Sequence, residues 1–180
     1  MFKVRVDTGG TFTDCWGRND EEAEPRLVKV LSSGRLRVAV EDWVSPRELR
    51  IHVPQNWTTG DGLFTGYHLE SGDQSALVLS YEESSRTLTL TADLQPADTI
   101  DLHAREEAPV LGARLLTGTE LDASFPDVDF RLATTRGTNA LLERKGGKVA
   151  LFVTKGFADL LTIRDQRRPD LFALKHARPS

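Results

Sequence analysis

Apolar and polar residues alternate from the start of the chain: Phe2, Val4 and Val6 are separated by Lys3 and Arg5. A period of two predicts a strand with one buried face. TGGT (8–11) then turns the chain, and FTDCWG (12–17) and RLVKVLS (26–32) read as two further strands. The acidic RNDEEAEP (18–25) between them reads as an exposed connection. Three short strands, the first two joined by a glycine turn, predict a meander.

Alternation continues from about Gly34 through RLRVAVE (35–41), ELRIHV (48–53), SALVLSY (75–81), RTLTLTA (86–92) and TIDLH (99–103). Turn residues separate these runs: Pro46, Pro54, Gly60, Gly62, Gly66, Gly72 and Pro96. No helical period intervenes, so the pattern predicts a small all-β unit, a barrel or a sandwich. Trp43, Trp57 and Tyr67 serve it either as core aromatics or as a binding surface.

The period changes again near Glu106. APVLGARLLTG (108–118) predicts a short helix and DFRLATT (129–135) a strand. GTNALLERKG (137–146) predicts a helix closed by a C-cap at Gly146. KVALFVT (148–154) has the length and continuous apolar character of a strand buried on both faces, and KGFADLLTIRDQ (155–166) is an amphipathic helix. Strand, helix, strand, helix implies βαβ units on a parallel sheet. The expected organisation is therefore an α/β domain, residues 1–34 and 106–180, split by a β-rich insertion at 35–105.

Charge and composition narrow the function classes. The net charge is −4 and the basic residues are scattered, without the footprint of a nucleic-acid binder. The densest basic stretch, RDQRRPD (164–170), is interleaved with acids and reads as a solvated loop. The single cysteine, Cys15, excludes a disulfide within the chain and fits a reducing, cytoplasmic setting, with Cys15 as a small buried hydrophobe. His52, His68, His103 and His176 have no Cys or His at ligand spacing, so a structural zinc is not expected. No signal peptide is read at the N-terminus, and no apolar run approaches the roughly 20 residues of a membrane helix.

Two stretches carry candidate chemistry. In DTGGTFTD (7–14), Gly9 and Gly10 allow positive φ and close approach of a ligand. Free N–H groups in such a turn make an anion nest, and the hydroxyls of Thr8, Thr11 and Thr13 add donors. Asp7 ends a strand, where a carboxylate can hold Mg²⁺ through water. These residue types suit a polyphosphate with its metal; a plain hairpin turn whose Asp and Thr bond their own backbone is the alternative. In TTRGTNA (134–140), Thr134, Thr135 and Asn139 stand at a strand end and helix start, where open α/β sheets bind ligands, and Arg136 can pair with a carboxylate or phosphate. A plain helix N-cap, worth about 1 kcal/mol, accounts for the same residues equally well.

DTGGTFTD resembles the first phosphate loop of the actin-like and sugar-kinase ATPases, whose cores are ribonuclease H-like. Together with the stretch from TTRGTNALLERKGGKVALFVTKGF to DLF at 170–172, it resembles the N-terminal region of the hydantoinase A/5-oxoprolinase family. The resemblance covers the first 33 residues and about the last 70, and leaves the insertion uncovered. It implies a ribonuclease H-like, actin-type half-domain. It also implies that Thr8, Gly9, Gly10, Thr11 and Thr13 hold ATP phosphates, that Asp7 holds Mg²⁺ through water, and that Asp14 supports Asp7 as a catalytic carboxylate. Thr134, Thr135, Arg136 and Asn139 would meet substrate. The implied activity is ATP-dependent opening of a cyclic amide, 5-oxo-L-proline or a hydantoin, in glutathione-type metabolism. Family members also serve as subunits of ATP-dependent ketone carboxylases, and a non-catalytic docking role for the insertion is a third reading.

No second Asp-Gly-Gly-Thr-like turn occurs in the 180 residues. The expectation is a piece of a longer enzyme that binds nucleotide weakly or not at all alone. The remaining lobe, and a hydantoinase B-type subunit or domain, would be its partners.

Overall fold

The structure, a computed structural model, describes residues 1–22 and 24–163. Two compact units divide the chain, 1–145 and 146–180.

The first unit opens with the expected meander: β1 (Phe2–Thr8), β2 (Phe12–Asn19) and β3 (Arg26–Leu31), paired antiparallel in that order. Alternation decides which side chains turn inward: Phe2, Val4, Val6, Thr13, Cys15, Val28 and Val30 are all buried. Lys3, Arg5, Asp14, Trp16, Leu27 and Lys29 fall on the opposite face.

Six strands follow: β4 (Leu36–Ser45), β5 (Glu48–Ile51), β6 (His68–Ser71), β7 (Gln74–Glu82), β8 (Thr87–Leu90) and β9 (Thr99–His103). They form a closed barrel in the order β4-β5-β8-β7-β6-β9. Of the two all-β forms expected, the barrel is the one observed. Closure depends on β4, which pairs with β9 along Leu36–Ala39 and with β5 from Val40 to Ser45, through two register shifts. A six-stranded barrel has room only for side chains. Leu49, Ile51, Phe64, Tyr67, Leu69, Leu88, Leu90, Ile100 and Leu102 are all at most 2% exposed. Each such burial contributes roughly 1.5–3 kcal/mol. Tyr67 is thus a core aromatic, and Trp43 and Trp57 are partly buried against the same core.

Gly34, with φ 74°, stands at the neck of the barrel: a Cβ there would lie 2.3 Å from the carbonyl oxygen of Glu106. The chain leaves the barrel there and forms α1 (Ala108–Thr117), which starts with a proline in its first turn and ends at Gly118. Leu111, Leu115 and Leu116 are fully buried on the inner face of the meander. β10 (Val128–Thr134) then pairs parallel with β1, so the sheet order is β10-β1-β2-β3. A mixed sheet with helix on one face, and a β-barrel between β3 and α1, is the α/β architecture of this unit.

α2 (Arg136–Leu142) is shorter than predicted. Its left-handed terminal residue is Arg144, φ 54°, and not Gly146, because the Lys145 N–H already bonds the Ala140 carbonyl at 2.8 Å.

In the second unit, KVALFVT does not form the strand its apolar run predicts. A strand requires a ladder partner, and none pairs with 148–154 among the described residues. Val149 and Phe152 are 90% and 93% exposed. The predicted helix 155–166 is one turn, α3 (Leu160–Ile163). Residues 164–166 of that helix, and the RDQRRPD stretch, lie outside the described residues. Among the described residues no helix is long and apolar enough to cross a membrane.

Candidate functional site

The glycine turn links the ends of β1 and β2. Its geometry corrects one expectation: neither Gly9 nor Gly10 has positive φ. What Gly9 supplies is space. Its N–H donates to the Phe12 carbonyl at 3.0 Å, and a Cβ there would meet that oxygen at 3.1 Å. Ser32, just after β3, pins the turn. Its N–H donates to the Thr11 carbonyl at 2.9 Å, its Oγ donates to the Gly9 carbonyl at 3.0 Å, and Oγ also meets Thr13 Oγ1 at 3.0 Å. Thr13 is fully buried, so its hydroxyl braces the turn from beneath and does not face a ligand. Thr11 is exposed. Among the described residues, the Gly10 and Thr11 N–H groups have no acceptor.

β10 and α2 bring the second stretch to this place. The Thr135 N–H donates to the Thr8 carbonyl at 3.3 Å, joining the end of β1 to the start of α2. A Cβ on Gly10 would stand 3.8 Å from Asn139 Nδ2. The simple N-cap does not form: the Thr135 hydroxyl makes no cap bond and accepts instead from Asn139 Nδ2 at 3.3 Å. The Thr134 hydroxyl accepts the Arg136 N–H at 3.1 Å.

Two clefts open around this junction. The wider, about 470 Å³, is lined by Thr8, Gly9, Gly10, Ser32, Arg136 and Asn139 together with Lys145. Lys145 pairs with Glu143 at 3.0 Å, whereas the Arg136 guanidinium has no ion pair among the described residues. The narrower, about 300 Å³, shares Thr8, Ser32, Ser33 and Arg136 and adds Thr134, Arg105 and Glu107. Between them, Thr8 Oγ1 is buried without a hydrogen-bond partner. A buried hydroxyl without a partner costs about 1–3 kcal/mol, so this one is a group in want of an acceptor.

Asp7 and Asp14 lie elsewhere. They are paired directly across β1 and β2, and both line a third groove, on the sheet face away from α1, with Trp16, Leu27 and Leu132. Like charges directly opposite are destabilising. Lys29 relieves Asp14 at 3.1 Å; Asp7 has no ion pair among the described residues. Behind the two carboxylates the Cys15 thiol is fully buried, and burial, helped by the Asp14 charge, pushes it up to about 12. It is the small hydrophobe expected.

The turn and the TTRGTNA segment thus meet, while the two aspartates face a separate groove. Ser32, Ser33 and Arg105 were not anticipated. A Ser-Ser-Gly run after a strand signals only a turn, and Arg105 carries no motif.

Residues 90–180 match the family described as the hydantoinase/oxoprolinase N-terminal region. The chain belongs to that family. Stretches of it are similar to "5-oxoprolinase 1" of Arabidopsis thaliana, 43% identical over 90 residues, 45% of this chain and 7% of that protein. The "5-oxoprolinase" of Dictyostelium discoideum is 59% identical over 49 residues, 27% of this chain and 4% of that one. "5-oxoprolinase PfmaA" of Pestalotiopsis fici is 50% identical over 66 residues, 37% and 5% respectively. The matching stretches therefore span less than a tenth of these relatives. No solved structure matches the chain. The family match takes in β9, α1, β10 and α2; the glycine turn precedes it.

Proposed function

We propose that this chain is the N-terminal, phosphate-binding part of a longer hydrolase that uses ATP with Mg²⁺ to open a cyclic amide, 5-oxo-L-proline or a hydantoin. In this reading residues 1–34 and 106–180 are a ribonuclease H-like half of an actin-type ATPase, and 35–105 is an insertion. The other lobe, and a hydantoinase B-type subunit or domain, complete the enzyme in the cytoplasm.

The observation that carries the reading is the wider cleft. Residues far apart in the sequence, Thr8–Gly10 and Arg136–Asn139, converge there at the carboxyl ends of two parallel strands. The residues fit a phosphate chain: free N–H groups at Gly10 and Thr11, the guanidinium of Arg136, and the orphaned hydroxyl of Thr8. Mg²⁺ keeps its waters and is shared with phosphates; Asp7, one residue before Thr8 in β1, would meet that hydration shell through water from its own groove, with Asp14 beside it.

A lactam amide is a poor electrophile, and ATP supplies the activation that makes its oxygen a leaving group. The protein's own part is positioning and charge neutralisation. Arg136 and the turn amides fix the phosphates, and Ser32 keeps the turn from moving. No nucleophilic side chain is required.

The test is ADP release by the full-length enzyme. Stimulation by 5-oxo-L-proline, reduced at least tenfold in Arg136→Ala, supports the reading. Turnover that depends on bicarbonate and a ketone would move the chain to the carboxylase branch. ATP turnover indifferent to Arg136→Ala would remove the phosphate role of this cleft.

A further inference from the structure

The narrower cleft adds a cation that the phosphate reading leaves unused, Arg105. Nine of the thirteen described arginines are in ion pairs: Arg5, Arg26, Arg35, Arg37, Arg47, Arg50, Arg86, Arg114 and Arg131. Arg105 and Arg136 are not, yet both line this one cleft. We propose that Arg105 binds a carboxylate, and that the narrower cleft receives a small amide bearing it, while Arg136 serves the phosphates from the side shared with the wider cleft; the inference rests on the function proposed above.

Three features support the assignment. The first is size: about 300 Å³ is at the lower limit of small-molecule sites, enough for one small ring and too little for a nucleotide. The second is charge. The neighbouring Glu106 is already held by Arg114, through bonds of 2.7 and 2.8 Å. Arg105 and Arg136 therefore face one unpaired acid, Glu107, and the cleft keeps a net positive charge. The guanidinium fork of Arg105 matches a carboxylate, and Glu107 can accept an amide N–H. The third is backbone: Arg105 is held at φ 59°, a conformation uncommon for a residue with a side chain.

The cleft also shares Thr8, Ser32, Ser33 and Arg136 with the wider one. An amide seated in the first would lie beside phosphates seated in the second. Arg105 follows directly on the last barrel strand, so the barrel would take part in specificity by presenting this one side chain.

The experiment compares 5-oxo-L-proline with 2-pyrrolidinone, the same ring without the carboxylate, on the full-length enzyme and on Arg105→Gln and Arg105→Gly. Arg105 is exposed and unpaired, and glycine accepts its backbone, so both variants should fold. The expected result is a KM for 5-oxo-L-proline raised roughly 10- to 100-fold, the range for a lost charge-assisted hydrogen bond. KM for 2-pyrrolidinone and for ATP should not change. Equal effects on both amides, or none on either, overturn the proposal. If neither amide stimulates ATP turnover, the proposed function fails, and calorimetric titration with the two amides decides the Arg105 site by itself. Binding that needs both the carboxylate and Arg105 upholds it; equal binding of both amides, or no binding, overturns it.

Discussion

Gly112 of α1 sits directly over Cys15 of β2: a Cβ at position 112 would lie 2.2 Å from the Cys15 sulfur and 3.1 Å from its Cβ. Helix and sheet approach this closely because one partner has no side chain and the other a small one. Gly112→Ala should therefore destabilise the chain by about 1–3 kcal/mol, the usual cost of overpacking. Cys15→Ala in the same chain should restore much of the loss. Urea midpoints of the two single variants and the double variant give the coupling; additive losses would mean that the contact is not the cause.

The same burial protects the thiol. With its pKa pushed up to about 12, Cys15 is protonated at pH 8 and should resist thiol reagents while the chain is folded. It should react fully in denaturant. The raised value also means a contribution to stability that is complete below the ordinary thiol range of about 8.5 and is lost as pH rises towards 12. Rapid labelling under native conditions would refute the packing described.

Arg114 is the most buried cation in an ion pair, its side chain 7% exposed. It grips Glu106 with two nitrogens and donates to the Glu120 carbonyl at 2.5 Å. Arg114→Met should cost about 3–5 kcal/mol, because a half-buried carboxylate loses its partner. Adding Glu106→Gln should recover part of that. If the double variant is no more stable than Arg114→Met, the carbonyl bonds and packing of Arg114 dominate instead.

Acid should loosen the barrel through Glu70. Arg35 donates to this carboxylate and His103 Nε2 lies 3.0 Å from it. Hydrogen bonds from Arg35 and then His103 hold it down to about 2. The unfolded chain takes up this proton near pH 4.3 and the folded chain only near 2. The stabilisation is thus complete above the ordinary value and drains away as pH falls from about 4.5 towards 2. The side chain is about one-third exposed, so screening keeps the effect modest. Glu70→Gln should flatten that part of a stability–pH curve; an unchanged slope would assign it to other carboxylates.

Asp7→Asn in the full-length enzyme should raise the Mg²⁺ concentration needed for half-maximal ATP turnover, with a smaller change for Asp14→Asn, whose charge Lys29 already offsets. Identical Mg²⁺ curves for the wild type and Asp7→Asn would place the metal elsewhere.

Where one face of an element is buried, the sequence was a good guide. The alternation of Phe2, Val4 and Val6, and the spacing of Leu111, Leu115 and Leu116, record contact with a core, and β1 and α1 lie where that pattern puts them. β6 escaped notice because HLES has a single aliphatic residue, Leu69, and its pairing depends on β7 and β9. The run from Val149 to Val153 misled for the converse reason: apolar character marks a wish for burial and does not supply the neighbour. Of the site, the turn and TTRGTNA were legible as motifs. Their meeting, the brace at Ser32 and the cleft that Arg105 and Arg136 both line were not, since each depends on how distant strands register against one another.

Gly34 and the Glu106 carbonyl touch at the neck of the barrel, so the excursion through six strands begins and finishes at one point. Evolution can add or delete such a cassette without stretching the sheet beneath it. The same junction is a natural port for grafting: another compact domain whose ends lie close together could be spliced there, and the glycine turn, braced by Ser32 just upstream, would keep its place.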